Sequence, residues 1–308
     1  MIVQSSRRLA EFVIVFLGVT FLILAGVFAL PGDPIAALGG NRPLSPSVVA
    51  QLRAEYHLDE SLWQQYLHYL GALFSGDLGT SFSGRPVADM MAERWPTTIR
   101  LALTTWVMEA VGGIVLGVIA GVRRGTWIDK NILLLTIVVS SIPVFVLGVT
   151  ARLVFGVHLG IFPVAGTAAG WPMAYILPAA VTAVFGLAAV ARLTRGSVAD
   201  TLNSDFVRTH RAKGFSDRRI LGIHVSRNAA IPVLTLIGVS FGALLGGTVF
   251  VESVFNLPGI GQLLVTAIQG HDGALVVGVA TALVMVFLIT NLAVDLLATV
   301  LDPRIRRG

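Results

Sequence analysis

Residues 228–251 read NAAIPVLTLIGVSFGALLGGTVFV, with no charged side chain between Arg227 and Glu252. A helix rises about 1.5 Å per residue and the hydrocarbon core of a bilayer is about 30 Å thick, so roughly 20 apolar residues make one crossing. Similar runs lie between Glu11 and Asp33, Lys130 and Arg152, and Asp272 and Asp295; between Arg100 and Arg123 only Glu109 intervenes. The uncharged run from Arg152 to Arg192 is too long for one helix and is broken at Gly160-Ile161-Phe162-Pro163 and Gly170-Trp171-Pro172, where glycine and proline punctuate the chain. The pattern predicts an all-α, polytopic membrane protein with six transmembrane helices, near 9–30, 97–121, 131–155, 173–191, 229–251 and 274–300.

Composition agrees. Of the 308 residues 55% are hydrophobic and 13% charged, with a mean hydropathy of +0.82. Soluble domains carry about 25% charged residues, so a water-soluble enzyme and a disordered chain are both excluded. Cysteine is absent, which excludes disulfides, thiolate catalysis and cysteine-ligated metals.

The net charge of +5 is not a nucleic-acid surface, because the basic residues are sorted by membrane side. Arg7 and Arg8 precede the first span, and Arg123, Arg124 and Lys130 lie between the second and third. Eight more lie between Arg192 and Arg227, and Arg304, Arg306 and Arg307 follow the sixth span. Sixteen of the 22 basic residues thus share one face, whereas the opposite 31–96 loop holds seven acids and four arginines. The positive-inside rule makes the basic face cytoplasmic, with both termini there. The first apolar run exceeds a signal peptide's and lacks a small-x-small cleavage site, so a retained span is expected.

Within 31–96, Ser45-Pro46 opens a first helix, and Leu62, Tyr66, Leu70 and Phe74, spaced by four, predict a second from about Glu60 to Phe74. These helices either shield the top of the bundle or dock a soluble partner. The inner segment 192–228 is a basic helix–glycine–helix elbow. Ser204 caps a helix from Asp205 to Lys213, Gly214 stops it, and Ser216 caps a second helix that runs towards Pro232. Its simplest reading is a charged loop that sets topology; paired caps around an apolar Phe206 point instead to a protein-docking surface.

No P-loop is present: Lys130 follows Asp129 and Lys213 follows Ala212, where that motif needs Gly-Lys-Ser/Thr. ATP-driven transport would therefore need a separate ATPase. The intramembrane ionisable residues are Glu109, Arg152 and Asp295; the first two either pair or line a pathway. The six histidines show no metal-ligand spacing, and Gly79-Thr80-Ser81-Phe82-Ser83-Gly84 is not a nucleophile elbow.

Arg211-Ala212-Lys213-Gly214-Phe215-Ser216 followed by His224-Val225-Ser226-Arg227-Asn228-Ala229-Ala230-Ile231-Pro232 resembles the cytoplasmic loop of ABC importer permeases of the dipeptide/oligopeptide/nickel family. Leu30-Pro31-Gly32-Asp33-Pro34, Gly76-Asp77-Leu78-Gly79-Thr80-Ser81, Arg85-Pro86-Val87 and Arg94-Trp95-Pro96-Thr97-Thr98 agree with it. So do Val251-Glu252-Ser253-Val254-Phe255-Asn256-Leu257-Pro258-Gly259-Ile260-Gly261 and Leu301-Asp302-Pro303-Arg304-Ile305-Arg306. The chain is similar to the first permease subunit of such systems throughout its length. One departure is Arg208-Thr209-His210 where the wider superfamily has Glu-Ala-Ala.

The resemblance implies a non-enzymatic subunit of the bacterial inner membrane with a type I importer permease fold. Its parts would be a first span (1–30), an extracytoplasmic helical segment (31–96), a permease core (97–301) and a short tail (302–308). Partners would be a second homologous permease, two P-loop ATPases that bind ATP and magnesium, and a substrate-binding protein. Asp205, Phe206, Arg208, His210, Arg211, Ala212, Lys213, Gly214 and Phe215 would form the coupling surface for an ATPase, with Phe206 as anchor and Gly214 as bend. Glu252, Asn256 and Pro258 would face the binding protein. Peptide and nickel importers share these motifs; without a histidine or carboxylate cluster in the spans, short peptides are the expected substrate. An ion-coupled secondary transporter also fits the hydropathy but leaves the elbow unexplained.

Overall fold

The computed structural model describes residues 2–29, 45–55 and 59–301, and among them all regular structure is helical, apart from a single bridge between Thr80 and Pro86. In order the helices are α1 (Ile2–Ala29), α2 (Pro46–Glu55), α3 (Leu62–Phe74), α4 (Val87–Val122), α5 (Trp127–Ser140), α6 (Val144–Ala151, extended by a π turn Arg152–His158) and α7 (Met173–Leu202). Then come α8 (Asp205–Ala212), α9 (Asp217–Arg219, extended by a π turn Ile220–Val225), α10 (Ser226–Gly247), α11 (Val249–Val254), α12 (Ile260–Gln269) and α13 (Gly273–Leu301). The Leu30–Pro34 motif, the side chains of Arg7, Arg8 and Asp295, and the basic tail 302–308 lie outside the described residues.

Among the described residues five helices are long and apolar enough to cross a membrane: α1, α4, α7, the continuous Asp217–Gly246 rod and α13. The predicted third span, 131–155, is not straight. α5 and α6 with its π turn meet at 97°, and they make a sixth crossing only as a bent pair. The cause is Pro143, held at φ −55°, ψ 139° between them; a proline has no N–H to give and pushes Ile142 before it out of the helical region. Two other expected boundaries also move. α4 begins ten residues before 97 and carries Pro96 inside it, and α7 continues past 191 to Leu202.

Contacts divide the chain into two compact units, Met1–Thr98 with Pro258–Leu288, and Ile99–Leu257 with Ile289–Gly308. In the first, Val87, Met91, Ile260, Leu263, Leu275 and Val279 form a buried cluster. Asp272 caps α13 there: its carboxylate accepts from the Ser81 hydroxyl at 2.5 Å, from the Phe82 N–H at 3.0 Å and from the Leu275 N–H at 3.0 Å. Three donors offset the cost of burying that charge.

In the second unit α4 meets α7 along a glycine face. A Cβ on Gly113 would lie 2.6 Å from the Val190 Cβ, one on Gly117 2.6 Å from the Ala191 carbonyl oxygen, and one on Gly121 3.0 Å from the Arg195 carbonyl oxygen. Glycines every four residues fall on one side of a helix and let two backbones touch, which is how helices associate where lipid removes the hydrophobic drive. The Trp106 indole N–H donates to the Ile237 carbonyl at 2.8 Å and so ties α4 to α10.

At the basic end of these helices Asp129, only 1% exposed, accepts from Arg195 Nε at 2.5 Å and Nη2 at 2.7 Å, and from the Gly125 N–H at 2.9 Å. This bidentate pair fixes the α4–α5 turn to α7. Asp129→Ala is expected to lower thermal stability towards the lower end of the about 3–5 kcal/mol for breaking a buried pair, since the Arg195 head is 24% exposed. Arg124→Ala, which loses only an exposed 3.4 Å pair with Asp200, should cost at most about 1 kcal/mol. Unfolding of the two purified variants in detergent, side by side, checks this.

Candidate functional site

The elbow begins at Ser204, whose extended backbone (φ −73°, ψ 154°) lets its carbonyl accept from the Val207 and Arg208 N–H groups. Its hydroxyl turns back to the Thr201 carbonyl instead of capping α8, so the expected side-chain cap is replaced by a backbone one. α8 ends at Gly214, φ +82°, whose N–H donates to the Arg211 carbonyl at 2.9 Å. Only glycine takes that conformation at little cost. Ser216 then caps α9, accepting from the Arg219 N–H at 3.4 Å. The chain continues through the π turn into α10 and past Pro232 without a break in the helical rod. The elbow is therefore one piece with a membrane helix.

Val207, fully buried, anchors it. It packs with Val198 of α7, Ile220 and Val225 of the π turn, and Ala229 of α10. Phe206, the expected anchor for a partner, is 38% exposed. Asp205, Arg208, Arg211, Ala212, Lys213 and Gly214 are exposed with it. Arg211 Nε reaches Asp217 at 3.1 Å and the Arg219 guanidinium sits 4.8 Å over the Phe215 ring, stitching α8 to α9.

His210, expected on the docking surface, turns inward. Its ring stacks on His224 at 4.1 Å and meets Phe215 edge-on at 5.2 Å, and its Nδ1 is shut from solvent with no partner. Loss of hydration holds its proton affinity below the ordinary histidine value, with His224 and Lys213 pushing the same way.

The other singled-out residues scatter. Glu109 is 3% exposed, its carboxylate pressed against Gly186 of α7, and the Arg152 guanidinium donates to the Val254 carbonyl. No ion pair joins the two among the described residues. Glu252 cannot face a partner: it is fully buried and accepts from the Thr248 hydroxyl at 2.9 Å. Asn256, at φ +49°, is exposed, and Pro258 is half-buried. Among the described residues no group of three His, Cys, Asp or Glu is placed to hold a metal ion. Sequence reading missed Val207, the Asp129–Arg195 pair and the glycine face; only the last had a legible signal, the spacing of 113, 117 and 121.

Comparison with known proteins agrees with this architecture. The family described as the binding-protein-dependent transport system inner membrane component matches residues 113–307, and its N-terminal counterpart matches residues 1–102. A peptide transport system permease protein of Brucella abortus strain 2308 is 39% identical over 307 residues, covering 97% of this chain and 98% of that one. The dipeptide transport system permease protein DppB of Escherichia coli K12 is 36% identical, covering 97% of each chain. The glutathione transport system permease protein GsiC of Escherichia coli O6:H1 is 39% identical, again over 97% of each. A solved structure of the MetNI methionine ABC transporter in an inward-facing conformation shares the fold, with a TM-score of 0.58 at 17% identity over 69% of this chain and 96% of that one. A chain of apolar spans with a capped, rigidly anchored inner elbow and full-length similarity to these permeases belongs to the binding-protein-dependent transport system inner membrane component family, as a multi-pass, non-catalytic ABC transporter permease subunit.

Proposed function

We propose that this chain forms half of the translocation pathway of an ATP-driven importer of short peptides, driven through the elbow 205–219 by a separate cytoplasmic ATPase. The observation that carries the reading is the division of α8: Val207 locks one side to α7 and α10, while Phe206, Arg208, Arg211 and Lys213 stand exposed among the described residues. A short helix held this way moves as a lever with the spans it joins. ATPases that bind ATP and magnesium close on each other, the levers follow, and the cavity between two permease halves opens to one side and then the other. The partners are a second homologous permease, two P-loop ATPase subunits and an extracytoplasmic substrate-binding protein. Both termini are cytoplasmic, a placement supported by the sorting of basic residues. Short peptides as substrate follow the relatives named for peptides, dipeptides and glutathione.

Purification from native membranes in mild detergent, with mass spectrometry of the accompanying subunits, tests the assembly; recovery of the chain alone overturns it. Titrating the accompanying binding protein with peptides and with Ni²⁺ tests the substrate. Phe206→Ala is expected to weaken ATPase binding by about thirtyfold, the loss of about 2 kcal/mol when an interface anchor is truncated. Membrane insertion should be unchanged, because Val207 still holds the elbow. Undiminished ATPase recovery with this variant removes Phe206 from the contact.

A further inference from the structure

From Leu62 to Phe74 α3 carries no Asp, Glu, Lys or Arg. Its polar groups are used at its start. Gln64 Oε1 accepts from the Ser61 N–H at 3.1 Å and the Ser61 hydroxyl at 2.8 Å, the Gln65 amide donates to the Glu60 carbonyl at 2.9 Å, and His68 faces Glu60 at 3.6 Å. Gln64 and His68 are its exposed polar side chains, and the rest of its uncovered surface is apolar: Leu62 is 43%, Trp63 60%, Leu67 49% and Phe74 83% exposed. A helix facing water carries charge on its outer face, whereas one with a broad apolar face and no charged residue lies against protein or in the bilayer interface. Exposure excludes the core of this chain.

The depth of α3 is set by α1. The Tyr66 hydroxyl donates to the Leu17 carbonyl at 2.8 Å and lies 3.0 Å from the Thr20 hydroxyl. The Phe21 ring meets Trp63 at 6.2 Å and Tyr66 at 5.2 Å, both edge-on, and Tyr66 is buried with Leu24 and Val277. The apolar window of α1 is Ala10–Val27. At about 1.5 Å per residue Phe21 lies about 9 Å, and Leu17 about 15 Å, inside its outer end; the second figure is half of the roughly 30 Å core. Even after the reach of a tyrosine side chain is subtracted, α3 runs beside the hydrocarbon part of α1 and not above it. Its 13 residues, about 20 Å of helix, are too few to cross.

We infer that α3 is an interfacial helix set into the outer leaflet of the bilayer, with Trp63, Leu67 and Phe74 against acyl chains. It continues the lipid-facing surface of α1, on which Ile14 and Leu22 are 69% and 68% exposed. The helix widens the membrane footprint of the first span, and Trp63 belongs to the aromatic population that settles at bilayer interfaces. A binding protein then meets this subunit on other residues of the outer segment.

The chain has no cysteine, so Leu67→Cys, Phe74→Cys, Ile14→Cys and Ser47→Cys each take one nitroxide label, and the unmodified chain reports any labelling of accompanying subunits. The assembled complex in phospholipid vesicles is probed with dissolved oxygen, which concentrates in lipid, and with a water-soluble nickel chelate. Labels at 67 and 74 are expected to collide with oxygen in preference to the chelate, as at Ile14 in the α1 span and unlike Ser47 on the exposed face of α2. Adding the binding protein should leave their spectra unchanged. Preferential collision with the chelate overturns the inference in favour of a water-facing helix. Low collision with both reagents, or broadening on adding the binding protein, overturns it in favour of a protein contact.

Discussion

Gly117→Val is expected to yield a chain that inserts but fails to pack, recovered as aggregate in detergent where the unmodified protein is monodisperse. A Cβ at this position would sit 2.5 Å from the Thr194 Cβ and 2.6 Å from the Ala191 carbonyl oxygen. Neither can rotate away, because one is fixed to the backbone and the other is backbone. The helices must part, which also opens the contacts of Gly113 with Val190 and Gly121 with Val198 on the same face. Overpacking in a close-packed interface costs about 1–3 kcal/mol where side chains can adjust; here they cannot, and about 3 kcal/mol is the expected minimum. Gly196→Ala on α7, with nothing within 4 Å of its Cβ, is the control and should be neutral or slightly stabilising, as alanine is the better helix former. Equal thermal stability of the two variants would remove the glycine face from the account of this fold.

Gly214→Pro is expected to abolish ATP-driven uptake while the chain still inserts. Proline holds φ near −65°, whereas residue 214 stands at +82° and its N–H donates to the Arg211 carbonyl. The substitution removes the donor and forbids the turn, so α8 no longer folds back on Val207's pocket. Gly214→Ala separates conformation from crowding, since nothing lies within 4 Å of this glycine. Its cost is that of a left-handed alanine alone, about 1–3 kcal/mol, and partial uptake should survive. Uptake by the proline variant at the unmodified rate, measured in a strain lacking the natural copy, would refute the coupling role of the elbow.

The two experiments probe features that differed in how visible they were beforehand. The elbow was legible because its signals are local: a serine before an acid, a glycine after a basic turn, a second serine two residues on. Within it, the inward faces were not. Val207 and Phe206 are adjacent apolar residues in an eight-residue helix, and which one is buried depends on where α7 and α10 arrive. His210 reads as a docking residue by position, yet His224 and Phe215 approach it from the far side of the turn. Glu252 sits in a segment that reads as an outer loop, but it lies in a helical turn, α11, that buries it beside Thr248.

By itself the sequence determined the number and order of the apolar runs and the turn of the elbow at Gly214 with the Ser216 cap after it. All of these follow from hydropathy summed along the chain or from backbone groups a few residues apart. Tertiary structure alone decided the bend at Pro143, the Asp129–Arg195 pair across 66 positions, the buried carboxylates and which side of each span meets protein. The reason is the solvent. In water a helix shows its core face by periodic polarity, but in hydrocarbon the lipid-facing and protein-facing sides are equally apolar, so α4 carries no polar stripe and, its glycines at 113, 117 and 121 apart, only the arrival of its neighbours distinguishes one side from the other.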